Sequence, residues 1–361
     1  MNTWSVIVDR SDLSSTTLVE AASIRPTTGQ ALLRVERVGL TINNLTYCAL
    51  GDALGYWGYF PTQVPGMAHI PLWGYAQVAA SETDALKTGD RVFGYLPSAS
   101  HLLVTPSPLG TDRFRDAAPH RGELMPIYNE YTVVTGAPRS PERENLTALY
   151  RPLFMTSFAF EAFGAANEWF GARRLLISSA SSKTGYGIAS LARSRGGIEI
   201  VGITSPANVA FSQQLGCYDT VITYDDVESL SKVPTLYADL AGDTDLRRRL
   251  HRHLADNLTH DAVLGISHIS SPTSLPTEEL VGPKPTVFGA FDYLLTPAMQ
   301  QEITRRYHSA WEDFRTLLRD NLDVVTDAGP KALQDHWTRL QGGEVDPRKG
   351  LVVTFADPDG A

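Results

Sequence analysis

The stretch SSASSKTGYG, residues 178–187, carries the residue types that can hold a phosphate. It comes after the apolar run Leu175-Leu176-Ile177 and leads into IASLARSR, so it reads as a small-residue turn from strand into helix. In a dinucleotide-binding turn one glycine makes the bend and a second admits the phosphates. A third lets the helix pack on its strand, while the helix N-terminus offers free N–H groups and partial positive charge. Here the three places read Ser179, Ser182 and Gly185, with Gly187 two further on. Ser182 is small and can donate a hydrogen bond, Ser181 and Thr184 flank it with further hydroxyls, and Lys183 adds a full charge. A P-loop reading fails: Ser182 stands where that motif needs the glycine before lysine, and Ile177 where it needs its first glycine.

The end of the next strand, in GITSPANVAF, sets the expected cofactor. An acidic residue there would hold the ribose hydroxyls of NAD; this chain has Thr204, Ser205 and Asn208, all neutral donors. No carboxylate competes with a 2′-phosphate, so NADP is expected over NAD. The plainer reading, a proline-started helix with a Ser/Thr cap, can hold at the same time.

These residues need strands and helices to position them. From about 150 onward, strands alternate with helices: strand 174–177, helix about 186–195, strand 198–204, helix 207–216, strands 219–224 and 234–242, the helix DLRRRLHRHLADNL, and a strand from 261. That alternation predicts a doubly wound parallel sheet over 153–285. The first 152 residues are rich in short strands punctuated by Gly and Pro. ALLRVERVGL (31–40), PLWGYAQVAAS (71–81) and RVFGYLP (91–97) lead them, which predicts a small β-barrel-like domain. The tail from 286 returns to mixed structure, with a long helix expected over 302–322 and a last strand at GLVVTF.

Composition sets outer limits. The 361 residues suit about two domains. A net charge of −9 argues against general nucleic-acid binding, and the local RRRLHRH run (247–253) reads as a solvated helix face. No apolar run approaches a membrane span, and the first residues lack the pattern of a signal peptide. Two cysteines, Cys48 and Cys217, form no framework or zinc spacing, and a cytoplasmic setting is expected.

The order of parts resembles the medium-chain dehydrogenase/reductase superfamily on its zinc-free, quinone oxidoreductase side. The resemblance rests on VGLTINNLTYCALGD, IPLWGYAQVAAS, KTGDRVFGYLP, GARRLLISSASSKTGYGIASLAR, QLGCYDTVITYDD, ADLAGD, VLGISH and GEVDPRKGLVVTF. More narrowly, NNLTYCALGDALGYW, APHRGELMPIYNEY, SSASSKTGYG, QLGCYDTV and GPKP are similar to the DUF2855 family. The resemblance implies a GroES-like β-rich barrel domain (1–152, completed by 286–361) plus a Rossmann domain (153–285). It also implies a homodimer and a small carbonyl substrate held in the cleft between domains. Thr41 stands at the place of a zinc-ligand cysteine, PLWGYAQV lacks the His-Glu pair, and the four-cysteine zinc lobe is absent, so no metal is expected.

On this resemblance Asn43 and Asn44 fall at polar, cleft-lining positions, and Tyr47 and Tyr56 lie in the same loop as hydroxyl donors for oxygen charge that develops on reduction. The plainer reading of either tyrosine is an ordinary packed aromatic. In DAAPHRGELMPIYNEY, His120 is a candidate acid or base and Arg121 a carboxylate or phosphate contact, against the plainer reading of an exposed loop pair. Lys284, in VGPKP, comes after the last Rossmann strand as a substrate contact, and Gly265 of VLGISH is counted with the cofactor residues. Three functions stay open. The leading one is a zinc-independent NADPH-dependent reductase of a ketone, quinone or enone. The others are a non-redox lyase of retro-aldol type and a binding protein on the same scaffold.

Overall fold

The computed structural model describes residues 3–21, 23–135, 139–264, 280–344 and 346–355. In chain order the elements begin β1 (Thr3–Asp9), β2 (Thr16–Ala21), β3 (Ala31–Leu40), α1 (Ile42–Ala49), β4 (Met67–His69), β5 (Pro71–Ser81), β6 (Arg91–Pro97), β7 (His101–Val104), β8 (Pro106–Pro108), β9 (Arg113–Asp116) and β10 (Glu130–Val133). After α2 (Pro141–Ala166) come β11 (Arg174–Ile177), α3 (Lys183–Arg195), β12 (Glu199–Thr204), α4 (Val209–Gln214), β13 (Thr220–Thr223), β14 (Thr235–Asp239), α5 (Thr244–Leu254), β15 (Leu258–Val263), β16 (Thr286–Val287), α6 (Ala290–Leu294), α7 (Pro297–Glu302) and α8 (His308–Asn321). The chain closes with β17 (Asp323–Ala328), α9 (Gly329–Gln341) and β18 (Lys349–Thr354).

Two compact units result, one of Met1–Leu149 with Asp323–Ala361 and one of Tyr150–Leu322. The first holds a three-stranded sheet, β2-β1-β4, and a larger one in the order β17-β18-β3-β5-β6-β10-β9-β8, with β7 also on β3. Pairing is antiparallel except between β17 and β18. Its core draws Val6, Val8, Leu33, Val38, Leu72 and Leu96 from strands and Leu333, Trp337 and Leu340 from α9. Along β3, Arg34, Glu36 and Arg37 are half-buried while Leu33, Val35 and Val38 join the core, with a register shift against β5 between Val35 and Arg37. Gly74 of β5 is needed because a Cβ there would lie 2.0 Å from the Arg37 carbonyl oxygen.

The second unit is a six-stranded, all-parallel sheet in the order β13-β12-β11-β14-β15-β16. Numbered from β11, this is 3-2-1-4-5-6, the Rossmann order. Every residue of β11 and β14 is buried, as expected of central strands covered on both faces. The unit runs on to Leu322, past the boundary at 285 read from the sequence. The reason is aromatic packing: Phe314 of α8 stacks on Phe154 at 4.8 Å and lies 5.9 Å from Tyr186.

Other local expectations shift. Helix α3 begins at Lys183, three residues earlier than periodicity suggests, because Ser182 caps it. The helix expected over 302–322 forms and starts earlier, at Pro297: α7 runs through a π turn at Ile303–Tyr307 directly into α8. The run 247–253 is not simply a solvated face. Arg247 and His251, one turn apart, are 4% and 0% exposed, and both lie on the same buried side of α5 as Leu246, Leu250 and Leu254.

Candidate functional site

In a 3-2-1-4-5-6 sheet the chain leaves strands one and four in opposite directions, so a crevice opens outside their carboxyl ends. Those strands are β11 and β14, and they lead into the turn 178–182 and the segment 239–242. The two are tied together. Ser178 Oγ donates to Asp239 Oδ1 at 2.9 Å and accepts from the backbone N–H groups of Leu240 and Ala241. The same Asp239 oxygen accepts from Tyr237 OH and from the N–H groups of Ala241 and Gly242, and its other oxygen pairs with Arg247. Arg247 Nε also reaches Asp261 Oδ2 at 3.0 Å, and that oxygen meets His251 Nε2 at 2.9 Å. The second ring nitrogen of His251 lies 2.7 Å from the Val281 carbonyl oxygen. Burial pushes the Asp239 carboxyl above its ordinary value, and Arg247 pulls it part of the way back.

The turn itself adopts the conformation its sequence only half announces. Ser179 sits at φ +50°, the left-handed bend that glycine usually supplies. Ser182 accepts the Gly185 N–H at 3.1 Å and caps α3. A Cβ on Gly185 would lie 2.8 Å from Ser179 O and 2.9 Å from Ser182 Oγ, so this glycine lets the turn fold onto the first helical turn. Close packing of α3 against another element falls instead to Gly187, whose Cβ would lie 2.6 Å from Ser157 Oγ on α2. The Lys183 ammonium sits over the Tyr150 ring, 5.4 Å from its centroid. Thr184 is half-buried in the first turn of the helix.

The end of β12 meets the turn through Ser181. Thr204 Oγ1 and Asn208 Nδ2 both donate to Ser181 Oγ, each at 3.2 Å. A serine oxygen that accepts two hydrogen bonds keeps its own proton to give away. Ser205 is half-buried and begins the short turn Pro206–Asn208. Gly265 lies outside the described residues, and Lys284 is exposed.

The other sequence candidates belong to the first unit, and the structure sorts them. Asn44 braces the start of α1: its Oδ1 accepts the Thr41 N–H at 2.7 Å and its Nδ2 donates to the Pro71 carbonyl at 2.8 Å. Thr41 therefore begins α1 as its cap residue. Arg121 is enclosed by its own loop. It is 2% exposed, its Nε lies 3.2 Å from Asp116 Oδ2, and Nη1 donates to Asn129 Oδ1 and Tyr131 OH. A buried guanidinium needs such partners, and these leave it facing its own loop. His120 is exposed, with Nε2 3.3 Å from the Tyr59 carbonyl.

Tyr47 and Tyr56 come together, with ring centroids 4.8 Å apart. Around them pack Tyr59, Tyr95, Tyr128 and Trp73, drawn from separate segments of the chain. Trp73 Nε1 donates to Tyr47 OH at 3.2 Å, and half-buried Asn43 lies one turn back on the same helix, α1. The Tyr56 and Tyr128 hydroxyls lie 3.3 Å apart. Burial raises all three phenols above their ordinary value. Sequence reasoning missed Trp73, Tyr128, Ser178 and Asp239. Only Asp239, ending an apolar strand in LYADLAGD, left a local signal. Among the described residues no group of three or more His, Cys, Asp or Glu is placed to hold a metal ion, and no helix is long and apolar enough to cross a membrane.

The sequence model of a family described as a protein of unknown function, DUF2855, matches residues 38–346. No curated protein matches the chain. Among solved structures, CurA from Vibrio vulnificus in complex with NADPH is similar at TM-score 0.63 and 16% identity, over 98% of this chain and 100% of that one. The quinone oxidoreductase from Coxiella burnetii (TM-score 0.54, 14% identity) and the yhdH oxidoreductase from Salmonella enterica in complex with NADP (TM-score 0.52, 14% identity) each cover 99% of this chain and 100% of their own. At these identities the likeness is one of fold: the GroES-like plus Rossmann architecture.

Proposed function

This chain belongs to the DUF2855 family, and from that premise we propose that it is an NADP-dependent, metal-independent oxidoreductase acting on a small ketone, quinone or enone. The observation that carries the cofactor is Ser181, held by Thr204 and Asn208 at the end of β12 with its proton left to donate. A 2′-phosphate is an acceptor-only group, and no carboxylate in GITSPAN stands at that strand end to repel it. The left-handed Ser179, the capped start of α3 and the missing Cβ of Gly185 fit a pyrophosphate over the helix N-terminus. Bound NADPH would supply a hydride, the chemistry no side chain here can provide. That two structures of the same fold hold NADPH or NADP supports the choice.

The chain's own residues would do the rest. Ser181, Ser182 and the α3 N-terminus bind and orient; the tyrosine cluster offers hydroxyl protons to oxygen charge. At the zinc-ligand place, Thr41 is a buried helix cap tied to Asn44, which favours metal-free chemistry on the donor set itself. A retro-aldol lyase rests on the altered turn and on the His120-Arg121 loop, and in that loop the Arg121 guanidinium pairs with Asp116. Calorimetric titration with NADPH, NADH and ADP-ribose tests the proposal. Tight NADPH with weak NADH binding is expected, together with saturable NADPH oxidation in a carbonyl screen. Absence of NADPH binding overturns it.

A further inference from the structure

The buried group around Arg247 carries a charge count that its arginine alone does not close. Asp239 is a carboxylate by its hydrogen bonds: Oδ1 accepts from Ser178, Tyr237, Ala241 and Gly242, and Oδ2 pairs with Arg247. Asp261 turns Oδ2 both to Arg247 Nε, at 3.0 Å, and to His251 Nε2, at 2.9 Å. All four side chains are buried. Two carboxylates and one guanidinium would leave a negative charge out of water without a partner, a state that folding strongly disfavours. A neutral imidazole donates from one ring nitrogen and accepts at the other. Here both nitrogens of His251 face acceptors: Nε2 meets the Asp261 carboxylate, and Nδ1 lies 2.7 Å from the Val281 carbonyl oxygen, which has no proton to give. We propose that His251 carries a proton on each ring nitrogen in the native protein, and that this buried imidazolium is a positioning residue for the crevice segment 239–242. With it the charges of Asp239, Asp261, Arg247 and His251 sum to zero.

The contacts run from His251 to the crevice. The imidazolium serves one side of Asp261, so Arg247 is left to span both carboxylates. Arg247 thereby holds Asp239, whose other oxygen gathers the N–H groups of Ala241 and Gly242 beyond the end of β14. When the ring gives one proton up to solvent, it keeps a single N–H, and either the Val281 carbonyl or Asp261 loses its donor. The group then holds a net negative charge, Asp261 leans on Arg247 alone, and Asp239 keeps a weaker share of the guanidinium. The groups that face the ring are Asp261 from β15, Arg247 from α5 itself and the Val281 carbonyl from the segment before β16. Asp239 and Tyr237 of β14 reach it through Arg247. Any effect on cofactor affinity rests on the reductase reading above; the protonation of His251 does not.

Two measurements on the full chain test this. In the first, histidine is labelled with nitrogen-15 and its ring nitrogens are followed by NMR from about pH 6 to about pH 9. The His251 signals are assigned by elimination from His→Gln variants of the other histidines. Both His251 nitrogens should carry protons at about pH 7, and the amides of Ala241 and Gly242 should shift as one of those protons leaves. A His251 ring with one bare nitrogen at about pH 7, or one that loses its proton with those amides unmoved, overturns the proposal. In the second, NADPH and ADP-ribose binding is titrated calorimetrically over the same range. Affinity should fall roughly five- to a hundredfold as His251 loses its proton, the size of an ordinary coupling between sites. His251→Gln, neutral at every pH, should bind at the weakened level throughout. Wild-type affinity in His251→Gln, or a wild-type profile that stays level while the ring titrates, overturns the positioning role. If neither ligand binds the wild-type protein at any pH, the reductase reading falls instead, and the NMR titration still decides the charge on His251.

Discussion

Replacing Arg247 by methionine gives the sharpest test of how the crevice is held. Among the described residues Arg247 is the arginine that bridges Asp239 and Asp261, and all three side chains are at most 4% exposed. Methionine keeps much of the volume but leaves two buried carboxylates without it. Asp239 would retain its bonds from Ser178, Tyr237, Ala241 and Gly242, and Asp261 its contact with His251. Removing one partner of a buried ion pair costs about 3–5 kcal/mol, or about two to four orders of magnitude in the folding equilibrium. The pH dependence comes from the sign of the shift. The native Asp239 carboxyl lies above its ordinary value, so the native state binds this proton more tightly than the unfolded chain does. Its contribution is largest at low pH and falls as pH rises between the ordinary and the raised value. Loss of Arg247 raises the native value further and widens that window. The destabilisation, read from urea unfolding by circular dichroism, should therefore shrink from about pH 8 to about pH 5. The double variant with Asp239→Asn should recover part of it. A loss below about 1 kcal/mol, the range of exposed pairs, or one that does not change with pH, would refute the argument.

Two further outcomes are expected. Ser205→Glu places a carboxylate at the end of β12 and should weaken NADPH binding at least about tenfold while sparing NADH, measured by calorimetry; equal loss for both would separate the 2′-phosphate from this strand end. Arg121→Met should destabilise the first unit by about 3–5 kcal/mol, because among the described residues Asp116 then keeps the N–H groups of Thr105 and Ala118, while KM for the carbonyl substrate stays unchanged in thermal-shift and kinetic assays; a selective rise in KM would give Arg121 to the substrate.

Much of the architecture was present in the sequence. The runs ALLRVERVGL and PLWGYAQVAAS are β3 and β5 to the residue, because apolar, β-forming runs bounded by turn residues mark a strand locally. The run of strand and helix from 174 to 263 announced a parallel sheet, and the turn at 178–187 was placed correctly at the end of its first strand. The absence of a carboxylate at the end of β12 is a fact of composition and needed no coordinates. Elements whose partner is distant were not legible. Strand β17 exists because β18 lies beside it, and the second unit extends to Leu322 because Phe314 finds Phe154.

The tertiary structure alone decided which polar residues are free to act. Arg121 and Asn44 look reactive by type, but each is held by buried partners that its neighbours in sequence do not reveal. Arg247 and His251 look solvated in a basic run, yet an i, i+4 pair turns to whatever side the sheet covers. Tyr56 gains meaning only when residues 47, 73, 95 and 128 meet around it, since a phenol's acidity and direction depend on the hydroxyls, indole and burial that folding brings to it.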